Sequence, residues 1–387
     1  MSHTIQLPDA DGSLNTHRMS EPIPRLTEST PPESRVAYAA AHVVGDPCGT
    51  NAPGSPAEVD WESTMAFRRH LWSHGLGVAE AMDTAQRGMG LDWAATRELI
   101  HRSAAEAAEV GGRVAAGVGT DHLPADVTDP DEITAGYAEQ LEVTQQAGAR
   151  VILMASRQLA AGARDAADYH KVYDRLLSEV QHPAILHWLG PAFDPALEGY
   201  WGSTDIAAAT ETLLEILHAH AHRIEGVKVS LLDLEHEIQL RSRLPEGVRL
   251  YTGDDFNYPR LIKGEGGSHS DALLGVFAAI APAASAALRA LDNGDETTFD
   301  EVLVPTVPLA RHLFSTPTYY YKTGIAFLSW LSGHQPGFTM VGGLQSGRSI
   351  PHLAETFRLA DRAGLFPDPE LAATRMRQLL DVAGVPR

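Results

Sequence analysis

The chain has 387 residues, 44% of them hydrophobic, and a formal net charge of −20. That length and apolar share can fill a large core, while the charge argues against nucleic acid or an anionic membrane surface as the main partner, since both need clustered Lys and Arg. A single cysteine, Cys48, excludes an intramolecular disulfide framework and any Cys-based zinc or iron–sulfur site.

The first 33 residues are polar and rich in Pro, Ser and Thr. They lack the charged-then-apolar pattern of a secretory signal, so 1–33 reads as a flexible N-terminal arm, free to lie on a neighbouring subunit. No apolar run approaches the roughly 18–20 residues of a membrane span, and a soluble cytoplasmic protein is expected. Beyond the arm, short apolar segments recur at 35–44, 75–83, 112–120, 149–156, 184–190, 226–233, 248–255 and 272–277. Each is rich in Val, Ala, Leu or Ile and runs into polar or glycine-containing residues, as strands covered on both faces do. Between them, "WESTMAFRRHLWSHG", "LDWAATRELIHRSAAEAAEVGG", "ADYHKVYDRLLSEV" and "STDIAAATETLLEILHAHAHRI" carry helical patterns. Eight alternating units predict a (β/α)8 barrel over 34–285. A doubly wound sheet would open on a Gly-x-Gly-x-x-Gly turn, and the first turn here, "GDPCGTNAPGSP", does not match it. After "AAIAP" the pattern turns helical, giving a C-terminal helical domain over 286–387. Its predicted helices lie near 288–294, 298–314, 319–332 and 352–364, with one more close to the C-terminus.

The sixth apolar segment, "EGVKVSLLD", holds one of only four lysines in the chain, Lys228, between Val227 and Val229. On a strand the two valines face one way and the lysine the other. An inward ammonium is partly desolvated, its pKa falls, and the free amine can attack a ketone or aldehyde to form an imine. The imine is an electron sink for breaking or making the adjacent bond, and it requires no metal and no other cofactor. The competing reading is an inward lysine neutralised by a carboxylate such as Glu80 or Asp83.

At this point the chain resembles the dihydrodipicolinate synthase and N-acetylneuraminate lyase superfamily of class I aldolases, as a divergent branch of it. "EGVKVSLLD" is similar to that family's Gly-Ile-Lys strand, which puts Lys228 on the Schiff-base lysine with Ser230 just beyond it. "VRLYTGDDF" resembles its seventh strand, ending in Gly253, Asp254 and Asp255. "DALLGVFAAIAP" resembles the eighth strand and the next helix start, and "YYKTGIAFLSWLSG" a C-terminal helix that begins with a lysine. The resemblance spans roughly 34–387. It implies a barrel with C-terminal helices, a small-molecule substrate and a homo-oligomer, dimer or tetramer.

Two departures stand out. Where the family has Gly-Thr-Thr-Gly-Glu to hold a keto-acid carboxylate, this chain has "MDTAQRGMG", with only Thr84 on a matching threonine and Asp83 beside it. Where the family has a proton-shuttling tyrosine on the fifth strand, this chain has His187, and an imidazole can do acid–base work near neutral pH. The resemblance therefore implies a Schiff-base-forming lyase or aldolase acting on a carbonyl compound, a sugar-derived keto acid or keto sugar. Lys228 and His187 would be catalytic, with Asp83, Thr84, Ser230, Gly253, Asp254 and Asp255 binding substrate.

Other patterns leave alternatives open. His42, His122 and His187 fall near strand ends with Asp83, Asp121, Asp254 and Asp255, a set that could hold a divalent metal as in sugar isomerases or class II aldolases. It lacks a His-x-His pair on one strand. In "TGDDFNYP", Asp254 or Asn257 could instead cap the turn. "HAHAH" ends a helix, where histidine suits the negative end of the dipole, and "GGLQSGRSIPH" reads as helix punctuation. A third reading is a catalytically decayed barrel that only binds a ligand.

Overall fold

The computed structural model describes residues 4–386. Eight parallel strands, Ala37–Ala40, Gly77–Glu80, Val114–Val118, Arg150–Leu153, Ala184–Leu189, Ile224–Ser230, Arg249–Thr252 and Asp271–Leu274, close into one barrel in sequence order. The eighth pairs with the first, Ala272 opposite Ala37 and Leu274 opposite Ala39. Every predicted apolar segment supplies one strand, and the fold is a (β/α)8 barrel with C-terminal helices.

Six helices around the barrel begin on an aspartate. Asp60, Asp92, Asp129, Asp165, Asp205 and Asp233 each accept a backbone N–H of the first turn. A carboxylate there satisfies donors that the helix cannot and meets the positive end of its dipole. Part of the chain's acidity is thus structural.

Inside the barrel, Tyr38, Ile152, Ile185, Tyr251 and Leu273 form a buried plug. Tyr38 and Tyr251 meet edge-on with centroids 6.2 Å apart. Gly226 is required here, because a Cβ on it would stand 2.8 Å from the Tyr251 ring. The plug fills the N-terminal part of the barrel and leaves the C-terminal mouth for chemistry. On the sixth strand Val227 and Val229 join the outer core, while Lys228 pairs in register with His187 on one side and Tyr251 on the other.

The C-terminal region departs from expectation in one place. The single helix expected over 298–314 is three pieces: Glu296–Leu303, a 3-10 turn Val304–Thr306, and Val307–Leu313. Pro305 and Pro308 cause the break, since neither has an N–H to give to the helical ladder. The helix Tyr321–Leu331 that follows is buried along its whole length. Helices Ile350–Arg362 and Pro369–Val382 complete the layer.

The flexible-arm expectation needs correction. Thr4–Pro8 and Leu14–Arg18 form an antiparallel hairpin. Ile5 and Leu7 are buried, and Arg358 donates to the carbonyls of Leu7 and Pro8 at 3.1 and 3.2 Å. Asp361 lies 2.8 Å from His17 Nε2 and accepts the Ser20 N–H. The segment therefore docks on its own C-terminal helices. Two alternating apolar residues suffice for an inward face, and the surrounding polar composition hides them.

Candidate active site at the barrel mouth

Lys228 is 7% exposed and faces the barrel interior, on the opposite side of its strand from the two valines. Its Cε packs where a Cβ on residue 253 would come within 2.8 Å, and the Ser230 Oγ would stand closer still, so Gly253 is the residue that leaves room for the amine. Among the described residues no carboxylate pairs with Lys228 within 4.0 Å, and Glu80, one candidate neutraliser, is taken by Arg68 at 2.7 and 2.8 Å. Burial lowers the Lys228 pKa, opposed by the nearby charges of Asp83 and Asp255. Asp255 accepts the Val276 N–H at 2.9 Å, and burial pushes its carboxyl up to about 8 against the pull of that bond and of Lys228. Amine and acid are thus both biased toward their uncharged forms.

His187 is fully buried, with Nε2 3.3 Å from Ser230 Oγ and Nδ1 without a partner among the described residues. Burial, and then the neighbouring Lys228, hold its pKa well below the usual imidazole value. It lines a cavity of about 170 Å³ with Asp83, Arg87, Thr120, Arg157 and Asp194. A neutral imidazole there can donate or accept a hydrogen bond but is a poor acid.

The structure brings in a phenol that sequence reasoning missed. Tyr321, the first residue of the helix Tyr321–Leu331, reaches across to Thr84, their hydroxyls 2.7 Å apart. Phe314 stacks on its ring at 4.3 Å and Phe193 meets it edge-on at 6.2 Å. A Cβ on Gly275 would press on both Phe314 and Tyr321 at 3.0 Å, so glycine after the eighth strand makes room for the pair. Burial, then the charges of Asp83 and Asp255, push the phenol well above its ordinary value and keep it protonated. The next residue, Lys322, is buried as well, with Nζ 3.4 Å from Met89 Sδ, and burial brings its pKa down to about 8. Asp83 acts on both amines and on the phenol.

Of the expected site residues, Asp83 and His187 line the cavity of about 170 Å³, which Lys228 does not. Ser230 meets His187, Gly253 packs on Ser230 and Lys228, Asp255 and Asp83 act on the Lys228 charge, and Thr84 meets Tyr321. Asp254 does not join them. It accepts the Phe256 and Asn257 N–H groups and the Asn257 side-chain amide at 2.8–3.1 Å, so it caps its own loop. Two of the three histidines of the metal reading, His42 and His122, also stand apart. His42 Nε2 is 2.7 Å from Gln335 Oε1, His122 Nδ1 is 2.8 Å from Gln140 Nε2, and Arg87 holds Asp121. Among the described residues no group of three or more His, Cys, Asp or Glu is placed to hold a metal ion. No helix among them is long and apolar enough to cross a membrane.

One further cation belongs to the mouth. Arg157 donates Nε to Asp194 at 2.6 Å, while its Nη groups make no hydrogen bond within the described chain. Gly88 lies against them, its would-be Cβ 3.3 Å from Nη1.

A family model described as a protein of unknown function (DUF993) matches residues 5–385. No curated protein matches the sequence. Among solved structures, dihydrodipicolinate synthase from Aquifex aeolicus is similar at a TM-score of 0.61 and 14% identity, over 91% of this chain and 99% of that one. YagE of E. coli K12, a prophage protein of the dihydrodipicolinic acid synthase family solved with pyruvate, gives 0.62 and 14% over 91% and 99%. The 4-hydroxy-tetrahydrodipicolinate synthase of Methylacidiphilum fumariolicum SolV gives 0.64 and 14% over 89% and 99%. At such identities the likeness is one of fold.

Proposed function

The chain belongs to the DUF993 family, and from that premise we propose that it is a class I lyase or aldolase, forming an imine between Lys228 and the carbonyl of a small keto acid or keto sugar. The observation that carries this reading is an inward, buried lysine on the sixth strand with no ion-pair partner within 4.0 Å among the described residues, and a buried acid, Asp255, close enough for their charges to act on each other. The shared fold with YagE, which was solved with pyruvate, makes a 2-keto acid a natural first candidate.

The chemistry distributes as follows. Lys228 Nζ adds to the carbonyl carbon, and the two protons that the nitrogen sheds on going from amine to imine both pass to the carbonyl oxygen, which leaves as water. Tyr321, protonated and held by Thr84, gives a proton to that oxygen and recovers one from the nitrogen, so the phenol ends the step as it began. His187 takes a hydrogen-bonding role toward the bound compound through Nδ1, and Ser230 holds its other nitrogen. The missing threonine pair has a substitute in Arg157, whose free Nη groups match a carboxylate in two-pronged fashion.

The test is trapping. Borohydride with the correct keto compound reduces the imine to a secondary amine, fixing the added mass on Lys228. Lys228→Arg should lose both mass and turnover, because arginine stays protonated and cannot form the imine. Lys322→Arg, which removes the other buried amine of the mouth, should still trap. Turnover by Lys228→Arg, or trapping on Lys322, would end this assignment.

A further inference from the structure

A second cavity, of about 480 Å³, lies away from the mouth and shares no lining residue with the cavity there. It is lined by the segment 22–27, the helix Trp61–Ser73 with His74 at its end, residues 278–282, the helix Tyr321–Leu331 and the turn 364–367. Three imidazoles line it. His70 lies against His334 with centroids 4.0 Å apart and ring planes tilted by 35°, and it meets His74 edge-on at 4.9 Å. Among the described residues none of the three rings has a hydrogen-bond partner. His74, 4% exposed, leaves Nδ1 buried and unsatisfied, and Ser329, also 4% exposed, leaves its hydroxyl oxygen in the same condition. Buried polar atoms without partners are rare in folded proteins and call for an explanation.

The charge of the lining narrows that explanation. In a chain of net charge −20 the cavity wall includes no Asp or Glu. It does include Arg25, which donates to the carbonyls of Gly364 and Ala363 and has no carboxylate within 4.0 Å among the described residues. Ile23, Leu328, Pro282 and Phe366 supply apolar wall, interspersed with the hydroxyls of Thr27, Ser73 and Ser332. A concave space that combines apolar wall with a few polar groups is the usual form of a small-molecule site. Among the described residues no metal-holding group is present, so these imidazoles are read as hydrogen-bonding groups.

We propose that this cavity binds a small organic anion, a carboxylate carried on an apolar body, with Arg25, His74, His334 and Ser329 as its polar partners. The site is independent of the imine reading. Its position gives it a route to the mouth, since Ser329 and Leu328 lie two turns along the helix whose first residue is Tyr321.

The experiment is calorimetric titration of the full chain with benzoate and, separately, with inorganic phosphate. Benzoate should bind saturably, and phosphate at least about tenfold more weakly for want of the apolar contact. His334→Ala and Ser329→Ala should each weaken benzoate about tenfold, roughly one lost hydrogen bond to a charged group. Ser329→Ala removes a single atom, so its effect is readable even where the histidine change disturbs folding. Lys228→Ala should leave benzoate binding unchanged. No saturable binding of either probe, phosphate binding as tight as benzoate, or benzoate lost in Lys228→Ala but kept in Ser329→Ala would each overturn the proposal.

Discussion

A buried ammonium beside a buried carboxyl has two neutral arrangements, the ion pair and the amine plus acid. Low dielectric narrows the gap between them, which is how Lys228 and Asp255 can present a free amine near neutral pH without leaving net charge inside the barrel. The lysine was legible in the sequence, because a charged residue between two valines on a short apolar strand has few explanations. The phenol was not. Tyr321 lies on a helix far along the chain, and nothing in "YYKTG" says which residue of that first turn enters the mouth. Its role has a direct test. Tyr321→Phe keeps the ring that packs between Phe314 and Phe193 and deletes only the hydroxyl on Thr84. Borohydride trapping on Lys228 should persist, while turnover falls about 10²–10⁴-fold, the range of a lost acid–base group. An equal loss of trapping and folding would make the hydroxyl structural.

At the scale of elements, the barrel was readable because each strand is a short apolar run with a polar exit, and period and length leave little else for such runs to be. The helix break at 303–307 was readable only from its prolines, and the apolar spacing across them overrode that signal. A more concealed link is Glu237, buried on the helix Leu234–Arg241, which accepts from Thr252 of the seventh strand at 3.0 Å and from Ser270, just before the eighth, at 2.8 Å. Burial raises its pKa to about 8 from the ordinary carboxyl value of 4.5, against the two hydroxyls. The folded state therefore holds this proton more tightly than the unfolded chain. The stability it contributes is complete below about pH 4.5 and is lost as pH rises through about 8. Glu237→Gln imitates the protonated form at every pH. Chemical denaturation at pH 6 and pH 9 should find the variant gaining on the wild type at the higher pH, and an unchanged difference would mean that Glu237 does not titrate in the fold.

Across the whole molecule, the C-terminal helices carry the site as much as the barrel does. The helix Tyr321–Leu331 delivers Tyr321 and Lys322 to the mouth, and it packs against Ile350–Arg362 and Pro369–Val382. The N-terminal hairpin closes that layer from outside, burying Ile5, Leu7 and Met19 and occupying Arg358 and Asp361. Each apolar side chain so buried is worth about 1.5–3 kcal/mol before the entropy of ordering the segment is set against it. Deleting residues 1–20 would expose the apolar face of Ile350–Arg362 and strand Asp361, 2% exposed, without the Ser20 N–H and the His17 ring that now meet it. The truncated chain should unfold at a lower temperature, with the barrel's circular dichroism intact below the transition. Its trapping on Lys228 should survive, because the amine, Asp255 and Gly253 are all held by barrel strands and their loops. A truncation that left the melting temperature untouched would return the segment to the loose arm its composition suggested. One that abolished trapping at low temperature would show that the C-terminal layer, and not the barrel alone, holds the lysine ready.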